Sequence, residues 1–241
     1  SVTITDASNC SIRDTVNLTE NTAIALTTTV QNANCNQADG IANVSASGGI
    51  SPYTYLWLST NTTPAADSNL AAGNYQVQVT DALGCTQTTT ASVGNISGPQ
   101  VTLDSIKNVN CFNDTTGGIA IHVSGGTQPL SFIWSNGDTT EDVSNLAAGN
   151  YALTLTDDIG CIATVNYNVN EGDSIGAGLM VSNISCYNAL DGAVSANATG
   201  GNGSYTYNWS NAQNTPTINN LSAGTYSITV TDSLGCVLED S

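Results

Sequence analysis

The sequence predicts an all-β chain of tandem immunoglobulin-like antiparallel β-sandwich repeats, with one disulfide per repeat. Three observations predict it. The stretch NLAAGNYQVQVTDALGC at Asn69–Cys85 returns as NLAAGNYALTLTDDIGC at Asn145–Cys161 and as NLSAGTYSITVTDSLGC at Asn220–Cys236. Apolar and polar residues alternate along short segments bounded by Gly, Asn and Pro, and no segment carries a helical period. Cysteines recur in pairs 50 positions apart (Cys35 and Cys85, Cys111 and Cys161, Cys186 and Cys236), the pairs offset by 76 and then 75.

The elements follow in chain order. After the first cysteine of each repeat, a strand alternates Ala42, Val44 and Ala46, matched by Ile119, Ile121 and Val123, then by Val194, Ala196 and Ala198. It runs into a Gly-Gly turn. An aromatic strand follows, with Tyr53, Tyr55 and Trp57 on one face, then Leu130, Phe132 and Trp134, then Tyr205, Tyr207 and Trp209. A variable polar loop leads to an L-x-A-G-x-Y corner. The next strand presents Tyr75, Val77 and Val79, then Tyr151, Leu153 and Leu155, then Tyr226, Ile228 and Val230. Tyr75 is placed to bury its ring while its hydroxyl bonds backbone. Thr-Asp-x-x-Gly-Cys closes the strand in a hairpin, where Asp81 accepts backbone N–H groups and Gly84 takes positive φ. Short, one-faced strands of this kind pack as two-layer sandwiches.

Composition narrows the function classes. Charged residues are 9% of the chain, with 19 acidic residues against two basic ones, Arg13 and Lys107, for a formal charge of −17. Such a surface repels phosphate backbones and anionic lipid, so neither nucleic acid nor a membrane surface is an expected partner. Scarce Lys and Arg also leave few sites for trypsin-like proteases, which suits an extracellular chain. No apolar run approaches the ~20 residues of a membrane-spanning helix.

The cysteines are expected to form three disulfides, Cys35–Cys85, Cys111–Cys161 and Cys186–Cys236, in an oxidising compartment. Metal ligation competes poorly, because no cysteine has a Cys or His at ligand spacing. A loop of this size would be stabilised by roughly 4 kcal/mol in the loop-entropy model, a useful margin for a ~75-residue domain. Cys10 is expected unpaired in this window: TDASNC at Thr5–Cys10 matches TDALGC at Thr80–Cys85, and Ser1–Thr15 aligns without gaps on Ser227–Ser241. The expected organisation is residues 1–25, the C-terminal part of a preceding repeat; 26–98, 99–174 and 175–241, three repeats. The last is cut at its final strand, so the chain reads as a slice of a longer array. NISGPQ at Asn95–Gln100 and NEGDSIGAG at Asn170–Gly178 are expected to be short connectors between rigid units.

The signature C-x-N-x-x-x-G, S-G-G, W-S-N-G, L-A-A-G-x-Y and T-D-x-x-G-C resembles the SprB repeat family. It stands here as CFNDTTGG at Cys111–Gly118, VSGGTQPLSFIWSNG at Val123–Gly137 and NLAAGNYALTLTDDIGC. The first repeat departs with LWLSTNTTPAADS and the third with SNAQN, both in a loop. The resemblance implies a very large Bacteroidota surface protein of tandem repeats; the family includes the mobile adhesin of gliding bacteria.

Candidate sites are few. The three tryptophans could stack on sugars, but each alternates in phase with two other large apolar residues and fits a core. His122, the only histidine, falls on the polar phase of its strand, leaving no nucleophile–base pair, and the chain is not expected to be an enzyme. No cofactor is called for. Calcium is the one ion whose ligand types recur, at Asp81, Asp157 and Asp232 in the hairpin and at Asp39 and Asp191 after the first cysteine; an Asx turn accounts for the same residues. Asp-Ser/Thr followed by an apolar residue or Thr marks Thr15, Ser105, Thr115, Thr139, Ser174 and Ser233, which resemble the O-glycosylation acceptors of secreted Bacteroidota proteins.

The expected function is a structural and adhesive stalk segment at the extracellular cell surface. Its partners would be neighbouring repeats of the chain, with surface polysaccharide or other adhesin chains beyond them. The alternatives are a glycan-binding module array and a spacer of a secreted hydrolase.

Overall fold

The computed structural model describes residues Ser1–Ser241, which divide into two compact units, Ser1–Ser97 and Gly98–Ser241. The first unit opens with a hairpin, Val2–Thr5 paired antiparallel with Ser11–Asp14. A sandwich of two three-stranded sheets follows. One sheet orders Ala25–Gln31, Gly40–Ser47 and Ala66–Leu70; the other orders Thr54–Trp57, Gly73–Thr80 and Thr86–Val93. Taken along the chain, strands one, two and four share a sheet, and three, five and six share the other.

The second unit repeats that topology twice. Gln100–Lys107, Gly117–Ser124 and Val143–Leu146 face Ser131–Trp134, Gly149–Thr156 and Ile162–Val169. Leu179–Ser182, Gly192–Ala196 and Thr217–Leu221 face Thr206–Trp209, Ile228–Thr231 and Val237–Asp240. Strand pairs within the sheets are antiparallel. The third strand crossing to the opposite sheet, a tryptophan on it and a tyrosine opening the fifth strand are immunoglobulin features.

Alternation in the sequence becomes burial. Ala42, Val44, Trp57, Val77 and Val79 lie in the first core, with Tyr53, Tyr55 and Tyr75 packed against it. Ile119, Ile121, Trp134, Leu153 and Leu155 occupy the second, and Ala196, Trp209, Ile228 and Val230 the third. Each indole N–H donates to a loop carbonyl: Trp57 to Pro64 at 3.0 Å, Trp134 to Thr140 at 2.9 Å and Trp209 to Thr215 at 3.0 Å. These rings are core and offer no face to a sugar. Each corner tyrosine reaches back four residues, with Tyr75 Oη donating to Ala71 O at 2.9 Å, Tyr151 to Ala147 at 3.0 Å and Tyr226 to Ser222 at 3.2 Å.

The expected connectors are not free linkers. Asn95–Ile96 pairs in parallel with Ala33–Asn34, and Glu171 forms a parallel bridge with Val109. Ala177 is buried in the third core and Ile175 packs against it. The physical reason is that Asn-, Gly- and Ser-rich composition signals irregular backbone; it does not signal freedom from neighbours.

Each sandwich has two poles. In the second repeat, a Cβ added at Gly117 would meet Leu146 O and Val169 Cγ1, each at 2.7 Å, and Val109 Cγ2 at 3.2 Å. Only glycine permits that approach. This corner pole carries Cys111, two residues beyond Val109. From the same corner, Gly149–Thr156 runs eight residues to Asp157 and Cys161 at the opposite pole. At ~3.3 Å per residue that run spans about 26 Å. The two cysteines of a repeat therefore sit at opposite ends.

Candidate functional site

The pole geometry overturns the expected disulfide pairing. Disulfide-bonded Cα atoms lie within about 7 Å, so cysteines at opposite poles of one sandwich cannot meet. Cys111 bonds instead to Cys236 of the following repeat, 125 positions on, with Cα atoms 5.4 Å apart. Cys35 and Cys161 are also disulfide-bonded, while Cys10, Cys85 and Cys186 are exposed thiols. The pairings Cys35–Cys85, Cys111–Cys161 and Cys186–Cys236 are thus corrected: the chain has two disulfides across three repeats, not one in each. A periodic chain repeats any pairing rule, so spacings of 50 and 125 are equally regular. The sequence alone could not choose between them.

The joint between the second and third repeats is built around that bond. At its centre, Asp232 lies buried at the hairpin of the third repeat. Its Oδ1 accepts N–H groups from Leu234 and Cys236, each at 2.9 Å, and Oδ2 accepts Asn202 N at 2.8 Å and Asn202 Nδ2 at 3.2 Å. Asn202 Nδ2 also approaches Asn110 O of the second repeat at 3.5 Å. A Cβ at Gly172 would meet that same carbonyl at 2.7 Å. Beside the disulfide, a recess of about 120 Å³ is lined by Phe112, Ser174, Ile175 and Leu238. Ile175 packs on Gly201, whose added Cβ would lie 2.8 Å from Ile175 Cγ1.

The same hairpin occurs in the other repeats. Asp81 Oδ1 accepts N–H from Leu83 and Cys85 at 2.9 Å, and Oδ2 accepts from Ile50 at 3.1 Å. Asp157 accepts from Cys161 at 2.8 Å, Thr127 at 2.9 Å and Ile159 at 3.2 Å. Burial pushes these three carboxyls up, but the donated N–H groups outweigh it and hold Asp81, Asp157 and Asp232 below the ordinary carboxylate range. Asp39 Oδ1 accepts Asn34 N at 2.7 Å, and Asp191 Oδ1 accepts Ser185 N at 3.0 Å. Donation from Ser185 lowers the Asp191 carboxyl against a smaller effect of burial. The recurring aspartates are turn acceptors, and the structure brings no three His, Cys, Asp or Glu side chains together at a metal-holding spacing.

The remaining candidates are scattered. Thr15, Ser105, Thr115, Thr139, Ser174 and Ser233 are all exposed. The Ser233 hydroxyl donates to Asn202 O at 2.8 Å. His122 is exposed on its strand. The residues missed by sequence reasoning are those of the joint: Asn110, Phe112, Gly172, Ile175 and Asn202. One signal was present, an aromatic residue directly after the first cysteine, in Phe112 and Tyr187, within an otherwise polar loop.

The SprB repeat profile matches residues 27–62, 103–139 and 179–214. This chain carries three SprB repeats. The matched stretches cover the first three strands of each sandwich and stop in the loop after the tryptophan. No curated protein matches the chain in sequence. Among solved structures, the three N-terminal domains of the Highly Immunogenic Outer Capsid protein (Hoc) of bacteriophage RB49 align over 90% of this chain and 95% of theirs, at 12% identity and a TM-score of 0.45. An I-band fragment of titin aligns over 91% of this chain and 98% of its own, at 13% identity and a TM-score of 0.38. SprB repeats closed by disulfides point to a cell-surface protein.

Proposed function

We propose that the chain is a load-bearing segment of the adhesive stalk of a large secreted bacterial surface protein. The observation that carries this reading is the Cys111–Cys236 bond, which ties the corner pole of one SprB repeat to the hairpin pole of the next. An end-to-end pull on the joint between these two repeats passes through that bond. Noncovalent packing then need not hold the joint under load. The acidic, Lys-poor surface keeps such an array soluble and offers few tryptic sites.

The glycan-binding alternative loses its readiest anchors, because the three tryptophans are interior. The test is adhesion under flow. Cells displaying the chain with Cys111→Ser and Cys236→Ser should detach at lower shear than cells displaying the parent, at equal surface display by antibody staining. Equal detachment thresholds would sink the load-bearing reading.

A further inference from the structure

After its Gly-Gly turn, each sandwich has a residue whose N–H donates to the buried hairpin aspartate: Ile50 to Asp81, Thr127 to Asp157 and Asn202 to Asp232. The first two repeats continue from there into proline, as Ile50-Ser51-Pro52 and Thr127-Gln128-Pro129. The third has Asn202-Gly203-Ser204 instead. Only this copy places a side-chain amide at the position, and only here does glycine follow it. The Asn202 amide also belongs to the joint. Its Nδ2 lies 3.2 Å from Asp232 Oδ2 and 3.5 Å from Asn110 O of the second repeat.

An asparagine before glycine is prone to cyclise, because no side chain shields the next backbone nitrogen. The chain has two such pairs, Asn136-Gly137 and Asn202-Gly203, and the structure separates them. Gly137 N–H donates to Trp134 O at 2.9 Å, and Asp138 holds both ends of the Asn136 carboxamide, at 2.7 and 3.2 Å. That nitrogen is committed to its turn. Gly203 N–H has no backbone acceptor, and a Cβ added at Gly203 would meet nothing within 4 Å. Asn202 is exposed, so water reaches it. The Ser233 hydroxyl donates to Asn202 O at 2.8 Å. That carbonyl belongs to the peptide whose nitrogen must lose its proton, so the hydroxyl stabilises the charge that develops there.

We infer that Asn202 is a deamidation site whose conversion loosens the joint between the second and third repeats as the protein ages. Gly203 N gives its proton to water and attacks Asn202 Cγ. The new N–Cγ bond closes a succinimide, the Cγ–Nδ2 bond breaks, and the side-chain nitrogen takes up a proton and leaves as ammonia. Water then opens the ring at either carbonyl, giving aspartate or isoaspartate. The aspartate product puts a carboxylate where an amide donor stood between two acceptors, Asp232 and Asn110. Both contacts become repulsions. Isoaspartate also reroutes the backbone through the side chain. The Cys111–Cys236 bond keeps the two repeats tethered throughout.

The test ages the full, disulfide-closed chain in neutral buffer and maps its peptides by mass. The mass gain of an NH2-to-OH exchange should appear at Asn202 before Asn136, with isoaspartate among the products. Ser233→Ala, at an exposed position, should slow it about fivefold, the share of one neutral hydrogen bond. Asn202→Gln should abolish it. In fresh protein, Asn202→Asp should speed hydrogen exchange at the Cys236 amide, which donates to Asp232, by about fivefold or more through the added like charge. Exchange along Gly149–Thr156, in the core of the second repeat, should stay as it is. Earlier conversion at Asn136, or a rate at Asn202 indifferent to Ser233→Ala, would overturn the proposal. So would unchanged Cys236 exchange in Asn202→Asp, since the joint would then not feel the new charge. The proposal does not rest on the stalk reading, whose own test uses Cys111 and Cys236, so either can fail alone.

Discussion

Asp157 shows how one residue closes a repeat. Its carboxylate gathers three backbone N–H groups from two separate turns, at Thr127 and at Ile159 and Cys161. The folded pKa is depressed, as it is for Asp81 and Asp232. The unfolded carboxyl titrates at about 3.9. A depressed folded pKa gives stability that is fully present above the unfolded value and lost as pH falls through the folded one. The urea midpoint should therefore be flat from neutral pH down to about 5 and should fall below about pH 4. Asp157→Asn should lower the neutral-pH midpoint and flatten the acid limb. An acid limb of unchanged steepness in the triple variant at Asp81, Asp157 and Asp232 would show that other carboxylates govern it. The Asp-x-x-Gly-Cys motif made this role legible, because the acceptor, the positive-φ glycine and the strand start are local.

At the scale of the elements, the strand Gly117–Ser124 is specified twice over. Its alternation sends Ile119 and Ile121 into the core, and Gly117 lets it pass close to Leu146 and Val169. Gly117→Val should destabilise the second repeat by about 1–3 kcal/mol, the usual range for forcing extra atoms into a packed site. Denaturant titration followed by tryptophan fluorescence would measure it, and unchanged transitions would mean that the corner relaxes freely. Alternation, corner and hairpin were all legible because strand and turn chemistry act over a few residues. The pairing of Glu171 with Val109 was not, since it joins residues 62 positions apart with no side-chain pattern to announce it.

For the molecule as a whole, the Cys111–Cys236 bond changes what a repeat is. The second and third sandwiches keep their own cores, yet they are closed covalently as a pair. In the loop-entropy model, a closure across 125 positions stabilises by about 5 kcal/mol. Pulled by its ends, the chain with its disulfides closed should extend less far than the reduced chain. A reductant should then release extra length on the order of tens of nanometres, at about 3.4 Å per residue. Equal extension before and after reduction would contradict the bridge.

The sequence by itself determined the repeat, the two-layer strand pattern, the inward tryptophans and the corner tyrosines, because each rests on contacts or periods of a few residues. Tertiary structure alone decided which cysteines join. An eight-residue strand of about 26 Å runs between the poles that carry the two cysteines of one repeat, and the stacking of the third sandwich on the second brings Cys236 to Cys111. Distance between poles is a property of the folded sandwich, and equal spacing along the chain carries no trace of it.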